Sequence, residues 1–305
     1  MTLIPGSWEL ASLVCKLLLY IGAASIAGGS LCLWKFSDGS RQLLEKNFSY
    51  ILIGSFLGFQ GVLLNYLIQV GLVNGSGLLG MFDWSMISLL MSTQHGEMAL
   101  YRLSAFVIAL LASIYYLKKI SNITRPPSEQ FYINVFKVFT PALFLLAYSF
   151  RIGGHVSVLS LLSQIAIFLH FLAFSFWIGS LYPLWSLSFS SDLETVKNSL
   201  ERFGNLAMGI VGVLTVAGVI LLFEFFAAPI QLLESPYGIA VLIKISLVLC
   251  ILGIAALNRY KLVPRIIAEG NATQIGKSIR VEGLVALLIM LLTTYFSTVI
   301  GPPEH

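Results

Sequence analysis

The chain has 305 residues, of which 57% are hydrophobic and only 10% charged, and its mean hydropathy is +0.89. Soluble domains carry roughly 25% charged residues, so this pool cannot clothe a water-facing surface and a lipid-facing protein is what remains. The net charge of +4 says little by itself, because in a membrane protein the placement of positive charge matters more than its sum.

A run of about 20 apolar residues crosses a hydrocarbon core of roughly 30 Å as a helix, the form that satisfies every backbone polar group internally. Such runs fall near 8–34, 47–73, 96–117, 131–150, 160–187, 203–227, 238–258 and 281–300. They predict an all-α polytopic membrane helix bundle of about eight spans, forming a single integral-membrane domain over 1–305. The first run has no basic stretch ahead of it and is long enough to span, so it reads as an uncleaved anchor. Segment 78–95 is apolar but interrupted, and is expected to lie on the membrane as a short helix. Breakers such as Asn74-Gly75-Ser76-Gly77 and Arg125-Pro126-Pro127 separate the runs. Trp8, Trp34, Tyr237, Tyr260 and Tyr295 fall near span ends, where amphipathic rings prefer to sit. Cys15, Cys32 and Cys250 have the spacing of neither a disulfide framework nor a zinc site, and read as small packing residues.

Thirteen lysines and arginines, from Lys35 to Arg280, fall in the connections after spans one, three, five and seven, against Arg151 alone in the opposite connections. By the positive-inside rule both termini are outside, which in a bacterium is the periplasm of the inner membrane. Lys16, Arg102 and Lys244 lie inside spans in the outer half. Lys137, near the inner end of span four, is placed to snorkel to the cytoplasm.

None of the four histidines falls on the cytoplasmic side of this topology. His95 is at the outer mouth of span three, His155 in the outer connection before span five, and His305 at the outer C-terminus. His170 is about ten residues into span five, roughly 15 Å deep, and an ionisable group at that depth tends to face a cavity or a partner. Ser163, His170 and Trp177 recur every seven residues and share a face. Met91, His95 and Met98 stand at i, i+4 and i+7; on one helix they form a thioether–imidazole–thioether face suited to Cu(I). The plain alternative for these methionines is flexible packing in an interfacial helix. Glu224 lies at a depth similar to Lys244 and is a candidate partner for it, whereas Glu282 enters span eight from the cytoplasmic side.

Several of these residues sit in motifs that resemble a known family. The run HFLAFSFWIGSLYPLW from His170, with Gly154-His155 ahead of it, resembles the histidine–tryptophan–glycine signature of the copper resistance D (CopD) family. RFGNLAMGIVGVLTVAGVILL from Arg202, SPYGIAVLIKISLVLCILGIAALNRYKLVPR from Ser235 and RVEGLVALLIMLLTTYFSTVIGPP from Arg280 resemble that family's core spans. The resemblance covers about 150–303; residues 1–145 match only in general helical layout. It implies copper transport across the bacterial inner membrane, inward from a separate periplasmic copper-carrier protein. Carried over residue by residue, it points to His155 and His170 as metal ligands, and to Trp177, Tyr237, Lys244 and Glu282 as path or structural residues. His95, Met91 and Met98 rest on the residue argument alone. Met290 and Cys250 are further soft groups in spans eight and seven.

Two other readings stand beside this one. A haem-binding membrane electron carrier needs axial ligands on facing helices; a two-haem arrangement lacks the histidines, and a single mixed site with methionine or histidine stays open. A transporter of another small solute is the second, with Lys16, Arg102 and Lys244 forming an anion pocket. Enzymatic chemistry is not expected, because no nucleophile, base and carboxylate set and no phosphate-binding glycine loop is present. Nucleic acid is not an expected partner, since the basic residues are spread over four short loops.

Overall fold

Nine consecutive residues of the first span, Gly22 to Ser30, are all buried, and only Ile26 among them has a large side chain. A helix with so little side chain on every face can be approached by other backbones from several directions at once. In the computed structural model, which describes residues 4–300 except 38, 123–125, 154–158, 191 and 227, this helix is the hub. Helix α1 (Ser7–Phe36) packs against α2 (Arg41–Asn74), α5 (Glu129–Ile152), α6 (Leu161–Gly179) and α12 (Thr273–Tyr295). Its contact with α6 is backbone on backbone. A Cβ added at Gly28 would overlap main-chain atoms of Gly179 and Ser180, and one added at Gly179 would overlap the Ala24 carbonyl.

The remaining elements are a 3-10 turn (Leu78–Phe82), α3 (Trp84–Met91), α4 (Gln94–Ser121), α7 (Leu181–Leu187), α8 (Leu193–Phe225), α9 (Gln231–Glu234), α10 (Pro236–Leu257) and α11 (Val263–Glu269), with π-helical turns at Asn258–Leu262 and Phe296–Ile300. The described residues contain no strand. Among the described residues eight stretches of helix are long and apolar enough to cross a membrane, so the chain is an all-α polytopic membrane bundle. The segment 78–91 is a 3-10 turn followed by an eight-residue helix, too short to cross. Two apolar cores meet at α1. One gathers α1, α2, α4 and α5 around Phe48, Phe106 and Phe139; the other gathers α6, α7, α8, α10, α11 and α12 around Trp177, Ile251 and Ile266. Helices α8 and α10 are peripheral: only 11% of each apolar window is buried, and the rest faces outward as a lipid-facing surface does.

Two boundaries differ from the hydropathy reading. Helix α8 begins at Leu193, ten residues before the apolar run, because the Asp192 carboxylate caps it, accepting from the backbone N–H of Glu194 and Thr195 at 3.2 Å and from the Thr195 hydroxyl. Hydropathy marks the lipid-immersed part of a helix, whereas a cap marks its true start. The single span expected over 160–187 is present as Leu161–Leu187, made of two helices that meet at Ser180, where the α1 backbone lies against Gly179. Tyr50 Oη donates to the Gly179 carbonyl at 3.2 Å, occupying an acceptor at the end of α6.

These contacts generate two predictions. Gly28→Ala destabilises the protein by about 1–3 kcal/mol through overpacking, whereas Gly253→Ala, where nothing lies within 4 Å, does not. Thermal unfolding of the two variants in detergent checks this, and equal midpoints would mean that α1 and α6 are not in backbone contact. The Thr195 hydroxyl, followed by the Thr195 and Glu194 backbone N–H groups, holds the Asp192 carboxyl below the usual aspartate range. The cap's contribution is therefore complete above the aspartate value of the unfolded chain and is lost as pH falls through the lower folded value. The protection of the Glu194 and Thr195 amides, measured against the intrinsic exchange rate at each pH, falls in acid in the wild type and stays constant in Asp192→Asn, which caps without titrating.

Candidate functional site

The seven-residue register of Ser163, His170 and Trp177 puts one stripe of α6 against α8, and each member has a different role there. At the end of the bundle that holds His95, Ser160 caps α6, its Oγ accepting from Ser163 N–H at 3.3 Å. Ser163 Oγ in turn donates to Glu224 Oε2 on α8 at 2.7 Å, and Ser160 N–H and Oγ approach the same carboxylate at 3.5 and 3.4 Å. Two turns further in, the His170 ring lies beside the Leu214 carbonyl of α8, opposite Gly218, where an added Cβ would sit 3.4 Å from ring Cε1. Its Nδ1 is buried and has no hydrogen-bond partner. Two turns deeper again, Trp177 is 4% exposed and belongs to the second core.

A third helix reaches the same place. Lys244 of α10 is within electrostatic range of His170, and its Nζ lies 5.6 Å from the centre of the Phe296 ring. His170 therefore lies where α6 packs on α8, with Lys244 of α10 close enough to act on it electrostatically. The expected pairing of Glu224 with Lys244 does not form; the carboxylate turns to the serines at the start of α6, where hydroxyl and N–H donors are closer. Among the described residues the ion pairs are Arg41–Glu45 and Lys197–Glu201, both on the surface. Tyr237, expected at an interface, packs in an aromatic group with Phe225, Phe226 and Phe296. Glu282, 5% exposed, accepts from Asn258 Nδ2 at 2.7 Å near the opposite end of the bundle, well away from Lys244 as its position in span eight implies.

The Met91–His95–Met98 face is not formed. Helix α3 ends at Met91 and Thr93 caps a new helix, its Oγ1 accepting from His95 N–H at 3.3 Å, so the i, i+4, i+7 geometry holds only for a helix the chain does not make. Met91 is exposed on α3. His95 and Met98 do meet, in the wall of a cavity of about 40 Å³ between α1, α2 and α4 that also includes Cys15, Lys16, Asn65 and Arg102. His170 is not part of that wall. The facing histidine pair a haem would need is therefore not formed by His95 and His170, while His155 and His305 lie outside the described residues. No group of three or more His, Cys, Asp and Glu side chains converges among the described residues. Cys250 faces outward on α10 instead of packing inside, and Met290 is a core residue.

Residues 197–296 match the family model for copper resistance protein D, CopD. Over those residues, about a third of the chain, the family resemblance read from the sequence is supported, and with it an involvement in copper resistance. The match contains Tyr237, Lys244, Glu224 and Glu282 and begins after His170 and Trp177, so it is shorter than the resemblance over 150–303. No curated protein matches the chain, and no solved structure does.

Sequence reading passed over Asn258, the partner of Glu282, and the polar pair Asn65 and Gln69 in the cavity wall. Their signal was present: two amides at i, i+4 in an otherwise apolar span mark a polar stripe that needs a partner. The site geometry predicts that Glu224→Ala and Ser163→Ala couple by about 0.5–3 kcal/mol in a double-mutant cycle. Glu224→Ala and Lys244→Ala add within about 0.5 kcal/mol. Strong coupling in the second cycle would restore the lysine–glutamate pair.

Proposed function

We propose that this CopD-type protein moves copper across the bacterial inner membrane, inward from the periplasm, with His170 as the ligand inside the membrane. The observation that carries this reading is the unpartnered Nδ1 of His170. A buried polar atom without a partner is costly in a protein interior, more so at membrane depth. In the tautomer protonated at Nε2, Nδ1 offers a lone pair to a soft or borderline metal such as Cu(I) or Cu(II). Its place where α6 packs on α8 sets it against the CopD segment, and the charge bias of the connections supports a periplasmic location for both termini.

The neighbouring charges separate His170 from the other histidine site. Two cations, Lys16 and Arg102, line the cavity that holds His95 and Met98, and the guanidinium stays charged. Copper is thus disfavoured there relative to His170, which has Lys244 alone as a neighbouring cation. His155, two residues beyond the described Gly153, remains a proposed receiving ligand from the resemblance, as does a separate periplasmic carrier protein as donor. No ATPase motif is present, so flow follows a gradient or is coupled to another ion.

Purified protein loaded with copper should retain it without a Soret band. His170→Ala should lower retention by at least about 10-fold and abolish copper accumulation in cells at matched membrane levels, with Met91→Ala unchanged. Normal accumulation by His170→Ala would remove this residue from the path, and a Soret band with iron would establish the electron-carrier reading instead.

A further inference from the structure

The cavity between α1, α2 and α4 has a property that the copper reading does not use. Two of its wall residues are cations set well inside spans: Lys16, about 14 Å along α1 from its start, and Arg102, about 12 Å along α4. They are close enough to feel each other's charge. Among the described residues each donates one hydrogen bond to a neutral oxygen: Lys16 Nζ to the Ser297 carbonyl at 3.1 Å, and Arg102 Nε to Ser149 Oγ at 2.9 Å. The guanidinium also stacks over Phe150, 4.6 Å from the ring centre. No carboxylate pairs with either among the described residues.

Intramembrane cations are almost always paired, and two repelling ones sharing a small volume need negative charge between them. Lys16 can relieve the repulsion by losing its proton, but the Arg102 guanidinium cannot, so the cavity keeps a positive charge that calls for a counter-ion. The same wall carries an amide with an unfilled polar atom, Asn65 Oδ1, buried without a hydrogen-bond partner, which marks a missing hydrogen-bonding occupant. Gln69 adds a further amide donor in the same wall, while the Tyr66 hydroxyl is already given to the Ile87 carbonyl at 2.7 Å. A cavity of about 40 Å³ has room for one small ion and a water, given that a water needs roughly 10–15 Å³ on this measure.

From this we infer that the cavity is a binding site for a monovalent inorganic anion of halide size, held between Lys16 and Arg102 with a water bridging it to Asn65. The anion neutralises the two cations and ties α1 to α4. This site is independent of the copper path, since it uses neither His170 nor any residue of the CopD segment.

The test is thermal unfolding of the full-length protein in detergent with sodium chloride or sodium gluconate at equal ionic strength. Chloride in about tenfold excess over its dissociation constant should raise the wild-type midpoint by about 2–4 °C over gluconate, which is too large for the cavity. The shift should vanish in Lys16→Gln and in Arg102→Gln. Lys16→Glu provides a variant with its own counter-charge: it should match or exceed the wild-type midpoint in gluconate and show no response to chloride. Equal wild-type midpoints in the two salts would overturn the inference. So would a chloride shift that persists in Lys16→Gln or Lys16→Glu, because the anion would then be bound elsewhere.

Discussion

The architecture depends on the near-contact of main chains where α1 crosses α6. In a membrane, apolar side chains gain little by leaving lipid for one another, so association must come from close van der Waals approach. The stripe from Gly22 to Ser30 allows that approach on several sides of one helix. Gly28 meets Gly179 and Ser180, Gly22 lies against the Gly54 carbonyl, and Ser25 fills the space beside Gly54. The break in α6 follows from this crossing, as does the recruitment of Tyr50 to the Gly179 carbonyl. The break ends the α6 stripe that sets His170 against α8.

The bundle divides into a tightly packed half and an open one. Helices α1, α2, α4 and α5 enclose large side chains almost completely, while α8 and α10, which carry much of the CopD match, expose most of their apolar surface. Such an arrangement suits a rigid frame supporting helices that move relative to one another, because helices with few buried contacts open at lower free energy. His170 lies on α6, which packs against α1 and α5 of the tight half on one side and against α8 of the open half on the other.

Charge is distributed to match. The carboxylates inside the spans, Glu224 and Glu282, are held by hydroxyl and amide donors rather than by cations. The cations Lys16, Arg102 and Lys244 are left with aromatic rings, a hydroxyl and a carbonyl. This separation is expensive in lipid, and it leaves the interior at the His95 end with an excess of positive charge.

Much of this was legible in the chain itself. Eight apolar runs, the punctuation between them and the family motifs follow from composition and local pattern, because insertion into lipid is decided segment by segment. The shared face of Ser163, His170 and Trp177 followed from helical period alone. What remained hidden depended on partners distant in sequence. Glu224 faced a choice between Lys244 and Ser163 that only the packing of α8 on α6 could settle. Met91 and His95 were separated by a cap at Thr93 that competes with a continuous helix over the same residues. Cys15, His95 and Arg102 share one cavity because three helices cross there, and no period within a single span encodes that crossing. The sequence by itself determined how many times the chain enters lipid and which residues pay the cost of being polar there; the tertiary structure decided which of them face one another, since hydrogen bonds and charge pairs are short-ranged and require the geometry of neighbouring helices.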